Sequence, residues 1–145
     1  NDGNLRRESN FDRGEEDGDF VEYNDSGSVI TKGQYSEGLK ERKWIYQLGH
    51  VKSMRKYSDD MQDSVWTEYY VNSGKIRYIG KYRQDRPDGT HIWYYPNGRR
   101  ELEGDYNLGL KEGKWKYFMP DGSLFLTITF RDDIETRYDA VDAHT

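Results

Sequence analysis

The chain contains no cysteine, only three prolines and only two alanines. Without cysteine there is no disulfide framework, no thiolate nucleophile and no cysteine-based metal site. No apolar run approaches the ~20 residues that a membrane-spanning helix needs. The shortage of alanine removes the strongest helix former. These absences disfavour a helical protein and several classes of enzyme before any motif is considered.

Aromatic residues are abundant in their place. The 145 residues include 4 Trp, 13 Tyr and 5 Phe, while 34% of the chain is charged and 33% hydrophobic. Large rings favour pleated, half-buried surfaces, and this aromatic content is too high for a disordered chain. The length suits one domain or one run of small repeats. We therefore expect an all-β protein.

The formal net charge is -5. Nucleic acids and anionic lipids both require a cationic surface. The composition therefore predicts no nucleic-acid partner and disfavours membrane lipid. The absence of cysteine fits both the cell envelope and the cytosol, and we favour a bacterial envelope location, periplasmic or at the surface.

Self-similarity at a fixed spacing organises the sequence. Segments 27–44 and 98–115 both read Gly, then Gly at +6, Tyr at +8, Gly at +11 and Trp at +17. More degenerate copies follow the same spacing. The anchor glycines of the six copies are Gly3, Gly27, Gly49, Gly74, Gly98 and Gly122. The chain is thus a tandem array of repeats of roughly 24 residues, a length in the range of known repeat families.

The anchors are predicted to lie in hairpin turns. Asn97-Gly98 and Asp121-Gly122 are strong hairpin signals between strand-like segments. Leu124, Leu126, Ile128 and Phe130 are expected on one face of the strand after Gly122. The segment from +11 to +15 is expected to be a second, looser turn. The fold predicted is an elongated, twisted, open single-layer antiparallel meander of about ten strands, ~50 Å long.

The array divides into three parts. Residues 1–16 form an incomplete first repeat, comprising a turn and a second strand; residues 17–135 are tandem hairpin repeats; residues 136–145 are a C-terminal cap or tail. Because Asn1-Asp2-Gly3 matches a turn, we expect the chain to begin inside a repeat of a longer array. The open first edge would then contact an upstream repeat, or a second copy.

Two rows of rings are predicted to form the core. The +17 row contains Phe20, Trp44, Trp66 and Trp115, with His91 in place of one ring; the +8 row contains Tyr35, Tyr57, Tyr82, Tyr106 and Phe130. Each buried ring removes a large apolar area from water. The glycine at +6 is expected to leave room for a neighbouring ring over the backbone.

A third row lies three residues after the +17 position and has the opposite parity. It consists of Tyr23, Tyr69, Tyr94 and Phe118, with Gln47 interrupting it. Two interpretations remain open. The row is either a partner-binding stripe or the lining of a second core face on a coiled sheet.

No constellation with catalytic chemistry is visible. His50, His91 and His144 do not lie at metal-ligand spacing, and the acidic run at 15–19 lacks the twelve-residue calcium loop. No phosphate-binding loop or nucleophile elbow occurs. The sequence predicts a non-catalytic protein with no catalytic, metal-binding or cofactor-binding residues.

The pattern Leu102-x-Gly104-x-Tyr106-x-x-Gly109-x-x-x-Gly113 resembles the MORN motif, in the bacterial variant of that repeat. The resemblance extends from Gly3 to about Arg137, although the family's His-Gly-x-Gly ending is absent and the copy at Gly49 lacks three glycines. It implies an extended single-layer sheet that acts as a protein-binding scaffold. Membrane-surface attachment, or antitoxin-like binding of a partner toxin, are the alternatives that the family suggests.

Overall fold

A computed structural model describes residues 6–141 of the chain. They form one sheet of twelve antiparallel strands, and the order of the strands in the sheet is their order in the sequence. The predicted all-β open meander is confirmed, with twelve strands instead of about ten. The described residues contain no α-helix, so none there is long and apolar enough to span a membrane.

The strands are seven to ten residues long and follow one another through short turns. Their bounds are β1 Arg6–Asp12, β2 Glu15–Tyr23, β3 Val29–Ser36, β4 Leu39–Leu48, β5 Val51–Ser58, β6 Met61–Tyr70, β7 Ile76–Arg83, β8 Arg86–Tyr94, β9 Arg100–Asn107, β10 Leu110–Phe118, β11 Leu124–Arg131 and β12 Ile134–Ala140. The last strand, β12, continues to Ala140 and pairs with β11. The predicted turn at Asn1-Asp2-Gly3, and His144, lie outside the described residues.

Two kinds of turn alternate along the sheet. The anchor glycines of the described repeats have positive φ, as in Gly98 at 90°. The +11 turns are tight two-residue connections: Glu37 and Gly38 both have positive φ, at 52° and 80°, between β3 and β4. Two consecutive positive φ angles define the hairpin turn whose twist matches that of the strands. The expectation of a looser +11 turn was therefore wrong.

Strand pairing sorts the side chains onto two faces, which we name the ring face and the open face. The ring face carries the +17 and +8 rows. Bulges beside the anchor turns locally change the alternation. On β11, Leu126 pairs with Tyr117 on the ring face, whereas Leu124 pairs with Phe118 on the open face. The prediction that Leu124 shares a face with Leu126 was wrong because a bulge at Phe125 intervenes.

The +17 row forms the core of the ring face. Trp44, His91 and Trp115 are each 1% exposed. The indole of Trp115 lies directly over the backbone of Gly104, where an added Cβ would come closer than 3.0 Å to the ring. The same relationship joins His91 to Gly80. The prediction that the +6 glycine makes room for a ring is confirmed at these positions.

Two rings of the +8 row, Tyr35 and Tyr106, stand edge-on between successive +17 residues. Tyr35 lies 5.6 Å from Phe20 and 5.0 Å from Trp44, at interplanar angles of 89° and 78°. Tyr106 bridges His91 and Trp115 in the same way, at 4.8 and 5.0 Å. Edge-to-face pairs at these distances are favourable beyond their buried area. A single layer thus obtains a core by stacking rings along the sheet.

The copy of the repeat anchored at Gly49 interrupts this stacking. Its +6 residue is Arg55, and the guanidinium lies over the Trp66 ring, 3.8 Å from the centroid. The Nε1 atoms of Trp44 and Trp115 donate to main-chain carbonyls at 3.1 Å, whereas the buried Nε1 of Trp66 has no partner. Trp66 is only half-buried, so the prediction that it is a core residue is confirmed only in part.

Candidate binding surface on the open face

The open face has a central row of residues that follows the strand pairing across the whole sheet. Its members, from β1 to β12, are Glu8, Val21, Lys32, Ile45, Met54, Thr67, Ile79, Ile92, Glu103, Lys116, Thr127 and Asp139. The middle of the row, on β4 to β8, is apolar apart from Thr67. Ile45, Met54, Ile79 and Ile92 are all half-buried. No second layer covers this row within the described part of the chain.

Lysines surround the apolar middle of this row. Lys43 pairs with Lys56, and Lys52 pairs with Tyr69. Lys32 and Lys81 complete the group on the same face, opposite Ile45 and Val65. Lysine stems cover apolar neighbours while their charged ends stay in water. The centre of the open face is therefore apolar with a cationic border, although the chain as a whole has a charge of -5.

The four residues of the predicted stripe lie on the open face, one row nearer to the anchor turns. Tyr23, Tyr69, Tyr94 and Phe118 are each half-buried. Tyr69 lies between Lys52 and Ile76, and Tyr94 pairs with Arg100. These two side chains therefore border the apolar row.

Tyr23 and Phe118 lie farther along the sheet, and arginines cover both. The guanidinium of Arg6 is 4.5 Å from the Tyr23 ring centroid, and that of Arg100 is 5.3 Å from the Phe118 ring. Three strands without an aromatic residue in this row separate Tyr23 from Tyr69. The structure thus brings Tyr69 and Tyr94 close to one apolar surface and leaves Tyr23 apart from it.

Titratable groups with altered acidity lie mainly on the ring face. His91 Nε2 is 2.8 Å from the Lys81 carbonyl and donates to it, while Nδ1 accepts from the Tyr78 hydroxyl at 2.6 Å. Burial lowers the pKa of His91 and raises the pKa of Tyr78, so both groups stay neutral. Burial also raises the pKa of Tyr82, whose hydroxyl is 3.0 Å from that of Tyr78. This network satisfies polar atoms inside the ring stack.

Histidines and carboxylates do not converge on a metal site among residues 6–141, where no group of three or more potential ligands is found. His91 is a core residue packed between Tyr82 and Tyr106. His50 is exposed in the turn between β4 and β5. The described geometry therefore offers surfaces for contact and no pocket that joins a nucleophile to a base.

The central apolar row was not identified from the sequence. Its signal was nevertheless present, because Ile45 and Ile92 lie one residue after the +17 position in their repeats and so have the parity of the open face. The stripe was predicted because its members are aromatic. Aliphatic residues at equivalent positions carry the same information about the face.

Residues 87–107 match the sequence model of the MORN repeat variant family. The matched segment contains most of β8 and all of β9, which is one anchor hairpin of the array. The resemblance to this family is thereby confirmed for that hairpin, and the family is generally non-catalytic. No curated protein matches the chain.

Two solved structures are similar in backbone to most of the chain. One is a mutant of S. aureus TarM in complex with Fondaparinux, alpha-GlcNAc-glycerol and UDP; it is 12% identical over 74% of this chain and 19% of that chain, with a TM-score of 0.40. The other, described as TarM, is 12% identical over 84% of this chain and 21% of that chain, with a TM-score of 0.39. This chain spans about a fifth of their length, and a likeness at this level carries no functional conclusion.

Proposed function

We propose, from the premise that the chain is a scaffold of MORN-variant repeats, that it is a non-catalytic protein-binding module. Its binding surface is the apolar middle of the open face. The observation that supports this proposal is the asymmetry of the sheet. Its ring face is packed with its own aromatic side chains over most of the sheet, whereas Ile45, Met54, Ile79 and Ile92 form a row with no layer over it.

The border of lysines indicates which chemistry a partner would need. Lys32, Lys43, Lys52, Lys56 and Lys81 surround the row, with Glu41 and Asp63 as the acidic residues on the same strands of this face. Complementary charge around an apolar centre is the arrangement of specific protein interfaces. The partner we propose presents apolar side chains bordered by carboxylates. Binding of a toxin by an antitoxin would be one case of this interaction.

Site-specific photo-crosslinking tests the proposal in cells that express the chain. A photoreactive phenylalanine at Thr67, in the centre of the apolar row, should capture one protein partner. The same residue at Tyr138, which is 60% exposed on β12, serves as the control and should not capture it. Equal capture at both positions, or no protein adduct at Thr67, would contradict the proposal.

The captured partner then permits a quantitative comparison. Ile79→Asp places a charge in the row and should weaken binding by at least about tenfold, or ~1.4 kcal/mol. Ile134→Asp makes the same change on an edge strand, at a residue that is 68% exposed, and should leave the affinity unchanged.

Membrane attachment is a second candidate, because an apolar row with a cationic border also suits an anionic bilayer. Co-sedimentation with vesicles of phosphatidylglycerol separates the two functions. Under the protein-binding proposal, the chain should remain in the supernatant at physiological salt. Sedimentation that is lost in Ile79→Asp would favour the membrane instead.

A further inference from the structure

A groove on the ring face is separate from the surface proposed above. It has a volume of about 550 Å³ and lies between β3 and β7, near the anchor-turn end of the strands. Its walls include Tyr46, Val51, Arg55 and Glu68, with the highly exposed Leu48 at the rim. Small-molecule sites are typically concave, largely apolar and within this range of volume.

The groove exists because one row of the ring face changes from large to small residues. Strand pairing aligns Tyr46, Ser53, Glu68 and Tyr78 along this row. Three other repeats place a large side chain at the position of Ser53, namely Tyr78, Leu102 and Leu126, whereas the repeat anchored at Gly27 has the small Thr31, which also lines the groove. Ser53 is 5% exposed and is too small to fill the same space. The two small residues of this row, Thr31 and Ser53, therefore line the groove without filling it.

Arg55 gives the groove its charge. It stands where three other repeats have glycine. Its guanidinium lies 3.8 Å from the centroid of Trp66 and 4.8 Å from that of Tyr46. Contact with two rings holds the planar group in place. Its Nε is buried without a hydrogen-bond partner, and Arg55 takes part in no ion pair among residues 6–141. A fixed guanidinium without a carboxylate partner is a built anion site.

The other charges in the groove limit the anion that fits. Arg77 Nη1 is paired with Glu68 Oε1 at 2.5 Å, so these two groups neutralise each other. Two guanidinium groups and one carboxylate leave a single positive charge. Glu68 would repel a second negative charge, which disfavours a phosphate dianion. The apolar walls from Tyr46, Leu48 and Val51 require an apolar body on the ligand.

We propose that this groove binds a single carboxylate attached to an apolar body, with Arg55 as the bidentate partner of the carboxylate. A free organic acid and the C-terminal residue of a peptide share this chemistry. In either case the apolar body lies against the walls formed by Tyr46, Leu48 and Val51. The site depends on the repeat anchored at Gly49, where Arg55 stands at the position of Gly33, Gly80 and Gly104, and Ser53 at the position of Tyr78, Leu102 and Leu126.

Titration of the intact chain, followed by amide NMR and calorimetry, tests the proposal with defined probes. The probes are 3-phenylpropionate, its uncharged amide, and a short peptide that ends in phenylalanine with either a free or an amidated C-terminus. The carboxylates should shift resonances of residues 46–55, 68 and 77 in a saturable way, and the amides should not. Tighter binding of the free acid or of the peptide identifies the source of the ligand. Equal binding of acid and amide, or no saturable binding of either carboxylate, overturns the proposal.

Two variants separate the groove from the fold. Ser53→Leu fills the space with the residue that Leu102 and Leu126 supply in the same row, and Arg55→Gln removes the charge. Each should weaken carboxylate binding by at least about tenfold, or ~1.4 kcal/mol. Lys52→Gln is the matched control, because it removes a cation next to Ser53 on the opposite face. Retained affinity in Ser53→Leu with a native amide spectrum, or an equal loss in Lys52→Gln, overturns the assignment.

Discussion

The indole of Trp44 lies flat on the backbone of Gly33, in the space that a side chain of residue 33 would occupy. From this position its Nε1 donates to the carbonyl of Gln34 at 3.1 Å. Glycine, ring and hydrogen bond together bury Trp44 to 1% exposure in a sheet with a single layer. Several predictions about stability depend on this relationship.

Gly33→Ala should destabilise the chain by about 3 kcal/mol, because a methyl group would overlap the Trp44 ring and displace it from its acceptor. Gly14→Ala is the control: no atom lies within 4 Å of the added methyl, although φ is 83°. We expect it to cost about 1–2 kcal/mol from backbone strain alone. Urea unfolding of both variants measures the difference, and equal losses would show that the ring does not depend on the glycine.

Trp115→Ala should lower the free energy of unfolding by about 3–5 kcal/mol, the usual loss for a buried aromatic residue. Trp66→Ala should cost clearly less, because Trp66 is half-buried and its Nε1 has no hydrogen-bond partner. Thermal unfolding of the two variants side by side provides the measurement. A larger loss at Trp66 would reverse our assignment of the stronger core position.

His91 should make stability depend on pH. Burial lowers its pKa below the ordinary value near 6.5, so the unfolded chain binds the proton more readily than the folded one. The contribution of His91 is therefore complete above pH ~6.5 and declines as the pH falls from there towards the lower folded-state pKa.

Urea unfolding at about pH 7.5 and about pH 5.5 should show this decline in the wild type, above the range in which most carboxylates titrate. His91→Gln is less stable at both values but should lack the His91 component of the decline. His50 is exposed and remains in both proteins. An identical pH dependence in the two proteins would exclude His91 as its source.

His91 and Tyr78 share the space above Gly80, and an added Cβ at Gly80 would meet the His91 ring and the Tyr78 hydroxyl. His91→Trp alone should therefore be destabilising, although Trp is the residue at this position in neighbouring repeats, because Tyr78 obstructs the larger ring. Adding Tyr78→Leu, which copies the equivalent Leu102, should recover at least about 1 kcal/mol through direct coupling. A double-mutant cycle measures this, and strictly additive effects would show that the two positions are independent.

Most of the fold could be predicted from spacing alone. Glycine at +6 and a ring at +17 indicated close ring-backbone contacts, and Trp44 and Trp115 have them. The same spacing failed at Leu124, because a bulge changes the face of a residue without any mark in the periodicity. It also failed at the +11 turns, where Asp60 and Asp85 adopt the positive φ that glycine adopts elsewhere.

The candidate surfaces were less accessible to prediction. Tyr69 and Tyr94 were predicted as aromatic residues of one parity, but the row formed by Ile45, Met54 and Ile79 emerges only when the register aligns the four strands β4 to β7. The net charge of -5 argued against a cationic surface, whereas all the lysines of β3 to β7 except Lys40 collect on the open face. The net charge of the whole chain does not indicate which charged residues share a face.

The amino-acid sequence by itself determined the repeat, the strand-and-turn pattern and the identity of the core rings, because glycine, aromatic residues and alternation act over a few residues. Only the tertiary structure decided which residues meet across strands. It placed Ser53 between Tyr46 and Glu68, and it placed Arg55 on Trp66 without a carboxylate partner. The reason is physical: a groove or a charged border arises from side chains on neighbouring strands, and strand register fixes those distances while local spacing does not.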